Sequence, residues 1–309
     1  MFKLKYLFLA KDVYFYTIIE DWLLYKQNSI KESTYLKYKY IIEKYFYPKF
    51  KNKTLKELLN YNYNNFINEL NFLNTATIKT LITILKSILK FAERKYDIDF
   101  KIDLIQYPKS SKKELEVFSE KEKQKLISYC YNDNSLKSIG ILICIYTGIR
   151  LGELCALKWK DIDLKNDIIS INETLQRAYD SNSTRIIVGP PKSTSSIRKI
   201  PINKKLHNIL YSLYKLNHYN PNSYFLTGCI DKFIEPRNYQ YTFHKIQNSL
   251  NIPNYNFHIL RHTFATDCIK INMDVKSLSK ILGHANVNIT LNKYVHPSFE
   301  STKKYLEKI

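Results

Sequence analysis

The most informative stretch of this sequence, residues 257–266, reads Phe-His-Ile-Leu-Arg-His-Thr-Phe-Ala-Thr. The spacing of three residues between His258 and Arg261 predicts that both side chains lie on one face of a helix. An imidazole beside a guanidinium suits a phosphate, because both groups can donate hydrogen bonds to its oxygens. A single pair of this kind is most often a surface feature, so its meaning depends on the rest of the chain.

A histidine and a tyrosine follow at fixed distances from this stretch. Residues 282–284 read Leu-Gly-His, and Tyr294 lies ten residues after His284. Gly283 is expected to end a helix in the left-handed conformation, which would leave the histidine exposed at the corner. The chain contains 26 tyrosines, so the register of Tyr294 carries the argument. Tyr305 is the nearest alternative, but it fits better as an apolar contact in a C-terminal helix.

An arginine stands at a glycine turn far upstream, where residues 147–153 read Thr-Gly-Ile-Arg-Leu-Gly-Glu. The glycines allow the backbone to turn and to approach a ligand closely. The guanidinium of Arg150 can hold two phosphate oxygens at once, which a lysine cannot do. Glu153 lies one helical turn later and is expected to orient Arg150 rather than to react. Alone this motif is weak, because helix–glycine–helix turns with an arginine are common.

Taken together, in this order and at this spacing, the motifs resemble those of the tyrosine recombinases, also called phage integrases. The resemblance covers residues 115–309, and its most specific part is the string at 257–266. It implies that a tyrosine attacks a DNA phosphodiester without a metal ion or ATP, so we expect no cofactor and no metal ligands. It implies six catalytic residues, which are Arg150, Lys192, His258, Arg261, His284 and the nucleophile Tyr294.

The lysine of this set is identified by its place on a predicted β-hairpin. Residues 189–201 read Gly-Pro-Pro-Lys-Ser-Thr-Ser-Ser-Ile-Arg-Lys-Ile-Pro, with basic and hydroxyl residues at the turn. In the family a lysine on this hairpin protonates the leaving oxygen, and Lys192 matches that position. Lys199 is a second candidate. The alternative for Lys192 is a contact with the DNA backbone only.

The resemblance also implies a role for each group. The two arginines would offset the negative charge that gathers on the phosphate oxygens in the transition state. His258 would accept the proton of Tyr294, since a free tyrosine has a pKa of about 10 and needs activation. His284 would hydrogen-bond the phosphate, and Lys192 would protonate the departing 5′ hydroxyl. The product would be a 3′-phosphotyrosine, which stores the energy of the broken bond.

Hydrophobic periodicity predicts a mainly α protein with a small antiparallel β-sheet. The resemblance implies that the helical part forms a core-binding domain and that the catalytic domain is mixed but mostly helical. We expect a short N-terminal extension at 1–12, a helical core-type DNA-binding domain at 13–97, a linker at 98–114 and a catalytic domain with a C-terminal oligomerisation tail at 115–309.

Local signals predict where helices and strands begin and end. Ser29 with Glu32, and Thr54 with Glu57, have the spacing of a capping box and predict helix starts. Pro48 is expected to end the helix between them. Short β-rich runs predict a three-stranded antiparallel sheet in the catalytic domain, formed by residues 167–171, 185–188 and 197–202.

Composition favours a partner that is a polyanion. The 309 residues carry a net charge of +20, and both the first 100 residues and the remaining 209 have an excess of basic residues. Two basic halves suggest a polyanion held from two sides, although a lysine-rich surface can also reflect biased composition.

The five cysteines have no metal-site or disulfide spacing, and no stretch is long enough to span a membrane. A reduced, cytoplasmic protein is expected.

The resemblance therefore implies a site-specific recombinase that integrates or excises a mobile element by cleaving and rejoining DNA. Its partners would be double-stranded DNA with specific recombination sites and further copies of the chain in a homotetramer. An excisionase or a host DNA-bending protein is a candidate accessory factor. About a dozen residues precede the first predicted helix, too few for an arm-binding domain.

Two alternatives stay open: a type IB topoisomerase-like enzyme that relaxes DNA, and a non-catalytic sequence-specific DNA-binding protein.

Overall fold

The computed structural model describes residues 13–109, 115–180, 183–191 and 193–295, together with Lys303, Leu306 and Glu307. The fold is mainly helical with small antiparallel sheets, as the sequence predicts. Among these residues, no helix has the length and apolarity needed to cross a membrane. The chain divides into two compact units, Met1–Lys113 with Ala178–Arg185, and Glu114–Arg177 with Ile186–Ile309.

In the described part of its longer segment, the first unit is mainly helical. Its described α-helices are α1 (Phe15–Gln27), α2 (Glu32–Ile41), α3 (Tyr47–Phe50), α4 (Leu55–Leu59), α5 (Tyr63–Glu69) and α6 (Thr75–Tyr96). A π-helical turn, Ile42–Phe46, joins α2 to α3. A 3₁₀ turn, Ile102–Leu104, follows α6.

The long helix α6 supplies much of the core of the first unit. It begins at Asn74, whose side chain accepts a hydrogen bond from the backbone N–H of Thr77, and it ends at Asp97 in the left-handed conformation. Phe15 and Trp22 of α1 are buried in the same core, so apolar stripes at helical spacing hold the unit together. Apolar residues that recur at helical spacing form the buried face of α6: Ile78, Leu81, Ile82, Leu85, Ile88 and Leu89.

One of the two predicted capping boxes in this unit is correct. The box of Thr54 and Glu57 is confirmed at the start of α4. The box of Ser29 and Glu32 is wrong, because the hydroxyl of Ser29 donates to the carbonyl oxygen of Lys26 at the end of α1. Serine can close the preceding turn as readily as it can cap the next helix, and the spacing alone does not separate the two.

The prediction that Pro48 ends the second helix is also wrong. The chain continues in helical conformation through the π-helical turn, and Pro48 lies in the first turn of α3. A backbone N–H has no partner within the helix at that position, so a proline is tolerated there.

The first part of the stretch that we expected to be a linker packs within the first unit. Phe100 and Ile105 are buried in the apolar core of this unit. The carboxylate of Glu93 accepts a hydrogen bond from the backbone N–H of Phe100, and the side chain of Asn64 accepts one from that of Gln106. Apolar and polar contacts therefore both attach residues 98–106 to the helical unit.

The second unit is built around the buried helix α8. Its described α-helices are α7 (Glu120–Asp133), α8 (Leu136–Thr147), α9 (Leu151–Ala156), α10 (Lys204–Asn217), α11 (Pro236–Ser249), α12 (Ile259–Lys270), α13 (Val275–Leu282) and α14 (Val287–Tyr294). Almost every residue of α8 is buried, and the helix packs against α7, α10 and α12. A helix that is apolar on all sides needs neighbours on all sides, which places α8 at the centre of the core.

The β-structure differs in part from the prediction. A three-stranded antiparallel sheet exists, with β2 (Ile168–Ile171) between β1 (Ile162–Asp163) and β5 (Arg198–Pro201). The run 185–188 is a strand, but it lies outside that sheet. It belongs to β4 (Ser183–Gly189), which pairs with β3 (Thr174–Asp180) in a separate two-stranded sheet. Alternating apolar residues predict a strand but do not identify the strand with which it pairs.

Replacement of a core leucine should destabilise the first unit far more than replacement of an exposed one. Leu85 of α6 is 1% exposed, whereas Leu24 of α1 is 69% exposed. We expect Leu85→Ala to lower the free energy of unfolding of this unit by about 2–5 kcal/mol, through lost burial and a cavity. Leu24→Ala should change it by less than about 0.5 kcal/mol. Chemical denaturation would measure both, and equal effects would contradict the packing described here.

Candidate active site

A glycine turn between α8 and α9 carries Arg150. Helix α8 ends at Gly148, which adopts a left-handed conformation with a φ of 64°. A Cβ atom at this position would also overlap the ring of Phe264. The turn therefore needs a glycine for its conformation and for its packing. Arg150 follows two residues later, immediately before the first residue of α9.

The second arginine, Arg261, is buried on α12 with 2% of its surface exposed. Its guanidinium donates to the carbonyl oxygen of Gly148 at 2.9 Å and to that of Leu282 at 2.7 Å. The same guanidinium lies 2.9 Å from Nε2 of His284. A charge can be buried only where such partners replace water, so these contacts hold Arg261 in one position.

The C-terminal end of α13 binds both arginines. The guanidinium of Arg150 donates to the carbonyl oxygen of Gly283 at 3.0 Å, and the carbonyl of Leu282, one residue earlier, accepts from Arg261. Carbonyls at a helix C-terminus have no partner within the helix and carry partial negative charge. Gly283 ends α13 in the left-handed conformation predicted for it, with a φ of 65°. Successive carbonyls thus hold two cations at one helix end.

A buried carboxylate lies behind Arg150. Glu153 is 2% exposed, and its side chain lies 2.7 Å from Nη1 of Arg150. It also accepts a hydrogen bond from the backbone N–H of Arg150, so Glu153 contacts this arginine as the spacing predicts. Arg198 of β5 donates two hydrogen bonds to the same carboxylate, at 2.9 and 3.1 Å. Burial alone would raise the pKa of Glu153, but the hydrogen bonds and charges of the two arginines lower it overall.

His284 follows Gly283 and is fixed from both sides of its ring. Nδ1 lies 2.7 Å from the hydroxyl oxygen of Thr290, which is fully buried on α14. Nε2 faces the guanidinium of Arg261. A ring held at both nitrogens has a defined orientation, so the position of His284 depends on α12, α13 and α14 together.

Tyr294 is the last residue of α14 and is 7% exposed. Its phenolic oxygen lies 2.9 Å from Nδ1 of His262, the residue that follows Arg261 on α12. The ring of His258 meets the ring of His262 edge to face, with 4.6 Å between the ring centroids. The structure thus brings His262 into hydrogen-bond distance of the phenol of Tyr294.

Burial and positive charge keep the histidines of this cluster neutral. Burial and the charge of Arg150 together lower the pKa of Arg261 to about 9, so at neutral pH the group is still charged. Partial burial and the charge of Arg261 lower the pKa of His284 to about 4. Burial of the imidazole and the charge of Arg261 also lower the pKa of His258 to about 4.

The phenol of Tyr294 experiences opposing effects. Burial raises its pKa, whereas the charges of Arg261 and Arg150 and a hydrogen bond with Arg261 lower it. The pKa of His262 falls to about 3 through burial and through the charge of Lys293. At neutral pH a protonated phenol therefore faces a neutral imidazole.

Five of the six residues expected from the sequence lie in the described part of the second unit. The contacts above bring Arg150, Arg261, His284 and Tyr294 together, and His258 is joined to them through the ring of His262. Lys192 lies outside the described residues, as does most of the expected C-terminal tail, including Tyr305.

Two residues in this cluster were not singled out by the sequence analysis. His262 lies inside the string at 257–266, directly after Arg261, and its place in that string was the available signal. Arg198 lies at the end of the predicted hairpin, and nothing in its spacing indicates that it reaches Glu153, 45 positions earlier.

A cleft of about 440 Å³ opens beside the arginines. Its lining includes Arg150, His284 and residues next to the hairpin, such as Gln176, Ser193 and Ser196. Within the described ranges, no three His, Cys, Asp or Glu side chains are grouped so that they could hold a metal ion. Arg150 and His284 in this lining offer groups that suit an anionic ligand.

Comparison with known families accounts for most of the chain. Residues 116–301 match the model of the phage integrase family, and residues 14–71 match the N-terminal SAM-like domain of phage integrases. The integrase of Staphylococcus phage L54a is 26% identical, over 97% of this chain and 93% of its own length. A tyrosine recombinase XerC-like protein of Caldanaerobacter subterraneus is 32% identical over 59% of this chain. The match spans only about half of that relative, 51% of its length.

Solved structures share the fold. The Tn1549 transposon integrase in complex with a circular intermediate DNA gives a TM-score of 0.79 at 20% identity, over 96% of this chain and 99% of that one. A lambda integrase tetramer bound to a Holliday junction gives a TM-score of 0.64 at 15% identity, over 94% of this chain and 81% of that one. With a family match that covers more than half of its length, this chain belongs to the phage integrase family of tyrosine recombinases.

Proposed function

We propose that this chain is a site-specific recombinase that cleaves and rejoins DNA through a 3′-phosphotyrosine on Tyr294, and that it integrates and excises a mobile element. The proposal rests on one observation. The guanidiniums of Arg150 and Arg261 donate hydrogen bonds to successive carbonyls at the C-terminal end of α13, close to the buried phenol of Tyr294. A non-catalytic DNA-binding protein would gain nothing from this arrangement. The mobile-element relatives, among them the transposase of transposon Tn916 from Enterococcus faecalis, support the second part.

The proposed chemistry follows from the charges in the cluster. A phosphodiester repels nucleophiles, and its transition state carries more negative charge than its ground state. Arg150 and Arg261 would bind the non-bridging oxygens as fixed cations that need no reorganisation during the reaction. His284, with its ring already oriented, would hydrogen-bond the same phosphate. The resemblance assigns the proton of the leaving 5′ oxygen to Lys192 and that of the phenol to His258.

The proposed partners are double-stranded DNA with specific recombination sites and a homotetramer of this chain. The net charge of +20 supports a grip on DNA phosphates. In the solved structures of similar fold, the Tn1549 integrase is bound to DNA and the lambda integrase forms a tetramer. We propose that residues 13–97 form the core-type DNA-binding domain and residues 115–309 the catalytic domain. An excisionase or a host DNA-bending protein would set the direction of the reaction.

Tyr294→Phe should bind its DNA site but form no covalent adduct, because the nucleophilic oxygen is lost while the ring and its packing stay. The measurement is trapping of the protein on nicked suicide DNA, read on a denaturing gel. Tyr241→Phe is the matched control, since Tyr241 is exposed on α11, and it should be trapped like wild type. If Tyr294→Phe is still trapped, the nucleophile is misassigned.

Arg150→Ala should bind DNA nearly as well as wild type and cleave about 10²–10³-fold more slowly, as for the loss of one preorganised donor to a transition-state oxygen. Arg150→Lys should remain impaired, because an ammonium keeps the charge but loses the two-point geometry of the guanidinium. Single-turnover cleavage and a separate binding titration measure the two effects. Weak binding combined with normal cleavage would contradict the proposed role.

Glu153→Gln should destabilise the second unit by about 3–5 kcal/mol, since the buried guanidinium of Arg198 and the half-buried one of Arg150 lose their counter-charge. Glu173→Gln removes a more exposed partner, that of Lys158, and should cost less than about 1 kcal/mol. Urea unfolding compares the two variants. A similar small effect for both would show that the carboxylate of Glu153 does not hold the cluster together.

A further inference from the structure

The phenol of Tyr294 faces a histidine to which the resemblance assigns no role. Nδ1 of His262 lies 2.9 Å from the phenolic oxygen, and the two ring centroids are 5.8 Å apart. We propose that His262 accepts the phenolic proton as Tyr294 attacks DNA, which makes His262 a further catalytic residue. This inference rests on the function proposed above, in which the oxygen of Tyr294 is the reacting atom.

Distance favours His262 over His258 for this role. A general base must lie within about 2.6–3.2 Å of the atom whose proton it takes, or act through one water. His262 meets this condition directly. His258 sits at the start of α12, is more exposed, and contacts the ring of His262. From that position His258 stays available for the scissile phosphate.

The surroundings of His262 determine when it can act. The ionisable groups that face it are His258 and Arg261 on its own helix, and Lys293 and Tyr294 on α14. Burial and the nearby positive charges keep the free imidazole neutral, so one ring nitrogen is an acceptor. A bound phosphate places negative charge in the same pocket and favours the protonated ring. Proton acceptance is therefore coupled to the arrival of DNA.

The step balances without any added reactant. The proton of Tyr294 moves to Nδ1 of His262 while the bond from the phenolic oxygen to phosphorus forms. The bond from phosphorus to the 5′ oxygen breaks, and that oxygen takes a proton from the general acid, assigned above to Lys192. In rejoining, the 5′ hydroxyl returns its proton to that lysine and attacks phosphorus. Tyr294 leaves and recovers its proton from His262.

His262→Asn separates proton transfer from hydrogen bonding, because the amide oxygen can accept a hydrogen bond near the place of Nδ1 but cannot take a proton at neutral pH. We would measure covalent trapping on suicide DNA whose scissile linkage carries either the normal 5′ oxygen or a 5′ sulfur. A thiolate leaves without a general acid. We expect trapping to be about 10²–10³-fold slower on both substrates. His207→Asn is the matched control: its Nδ1 contacts Asp167, and it should behave as wild type.

Two outcomes would overturn the proposal. One is trapping of His262→Asn within about threefold of wild type, since loss of a general base costs far more. The other is restoration of its rate by the 5′ sulfur, because the imidazole would then act on the leaving group. A wild-type chain that forms no adduct on any DNA would overturn the proposed function, and this proton transfer with it.

The tautomer of His262 gives a second test that needs no DNA. In nitrogen NMR of histidine-labelled protein, we expect the proton on Nε2 and an Nδ1 resonance that shifts in Tyr294→Phe, because Nδ1 loses its donor. A proton on Nδ1 would mean that the ring donates to the phenol and cannot take its proton. That result would overturn the role of His262 even in a chain that recombines DNA.

Discussion

Two arginine side chains share the C-terminal end of one short helix, and the geometry of the site depends on this contact. The carbonyls of Leu282 and Gly283 accept from Arg261 and Arg150, which come from different parts of the chain. The left-handed turn at Gly283 ends the helix, so that these carbonyls are available and the next residue, His284, is placed against Arg261. One helix terminus thus sets the positions of three side chains of the proposed site.

Cations held this closely repel one another, and the protein offsets that repulsion only in part. The carboxylate of Glu153 binds Arg150 and Arg198 in a buried position, where a charge interacts more strongly than in water. In the described part of the chain, one carboxylate faces three guanidiniums, including that of Arg261, so an excess of positive charge remains. Burial and this excess of positive charge together keep the neighbouring imidazoles neutral. A phosphate that enters would meet this uncompensated charge in a prepared arrangement.

The features of this arrangement that depend on the spacing of nearby residues could be predicted from the sequence. The capping box at Thr54 and the left-handed Gly283 follow from interactions within a few residues, and both are confirmed. The contact of Glu153 with Arg150 spans a single helical turn and was expected for the same reason.

The features that sequence reasoning missed depend on how distant segments pack. The pairing of 185–188 with β3, the reach of Arg198 to Glu153 and the contact of His262 with Tyr294 join residues that no periodicity relates. The error at Ser29 has a different origin, since a serine between two helices can bond to either one, and here it bonds to Lys26.

The central claim is that fixed guanidiniums offset the charge on the phosphate oxygens. Its most direct test is the rate at which Arg150→Ala becomes attached to DNA whose scissile phosphate is replaced by an uncharged methylphosphonate. One anionic oxygen is then absent, so the defect of this variant relative to wild type should shrink from about 10²–10³-fold to less than about tenfold. A defect of undiminished size on the neutral linkage would contradict the claim.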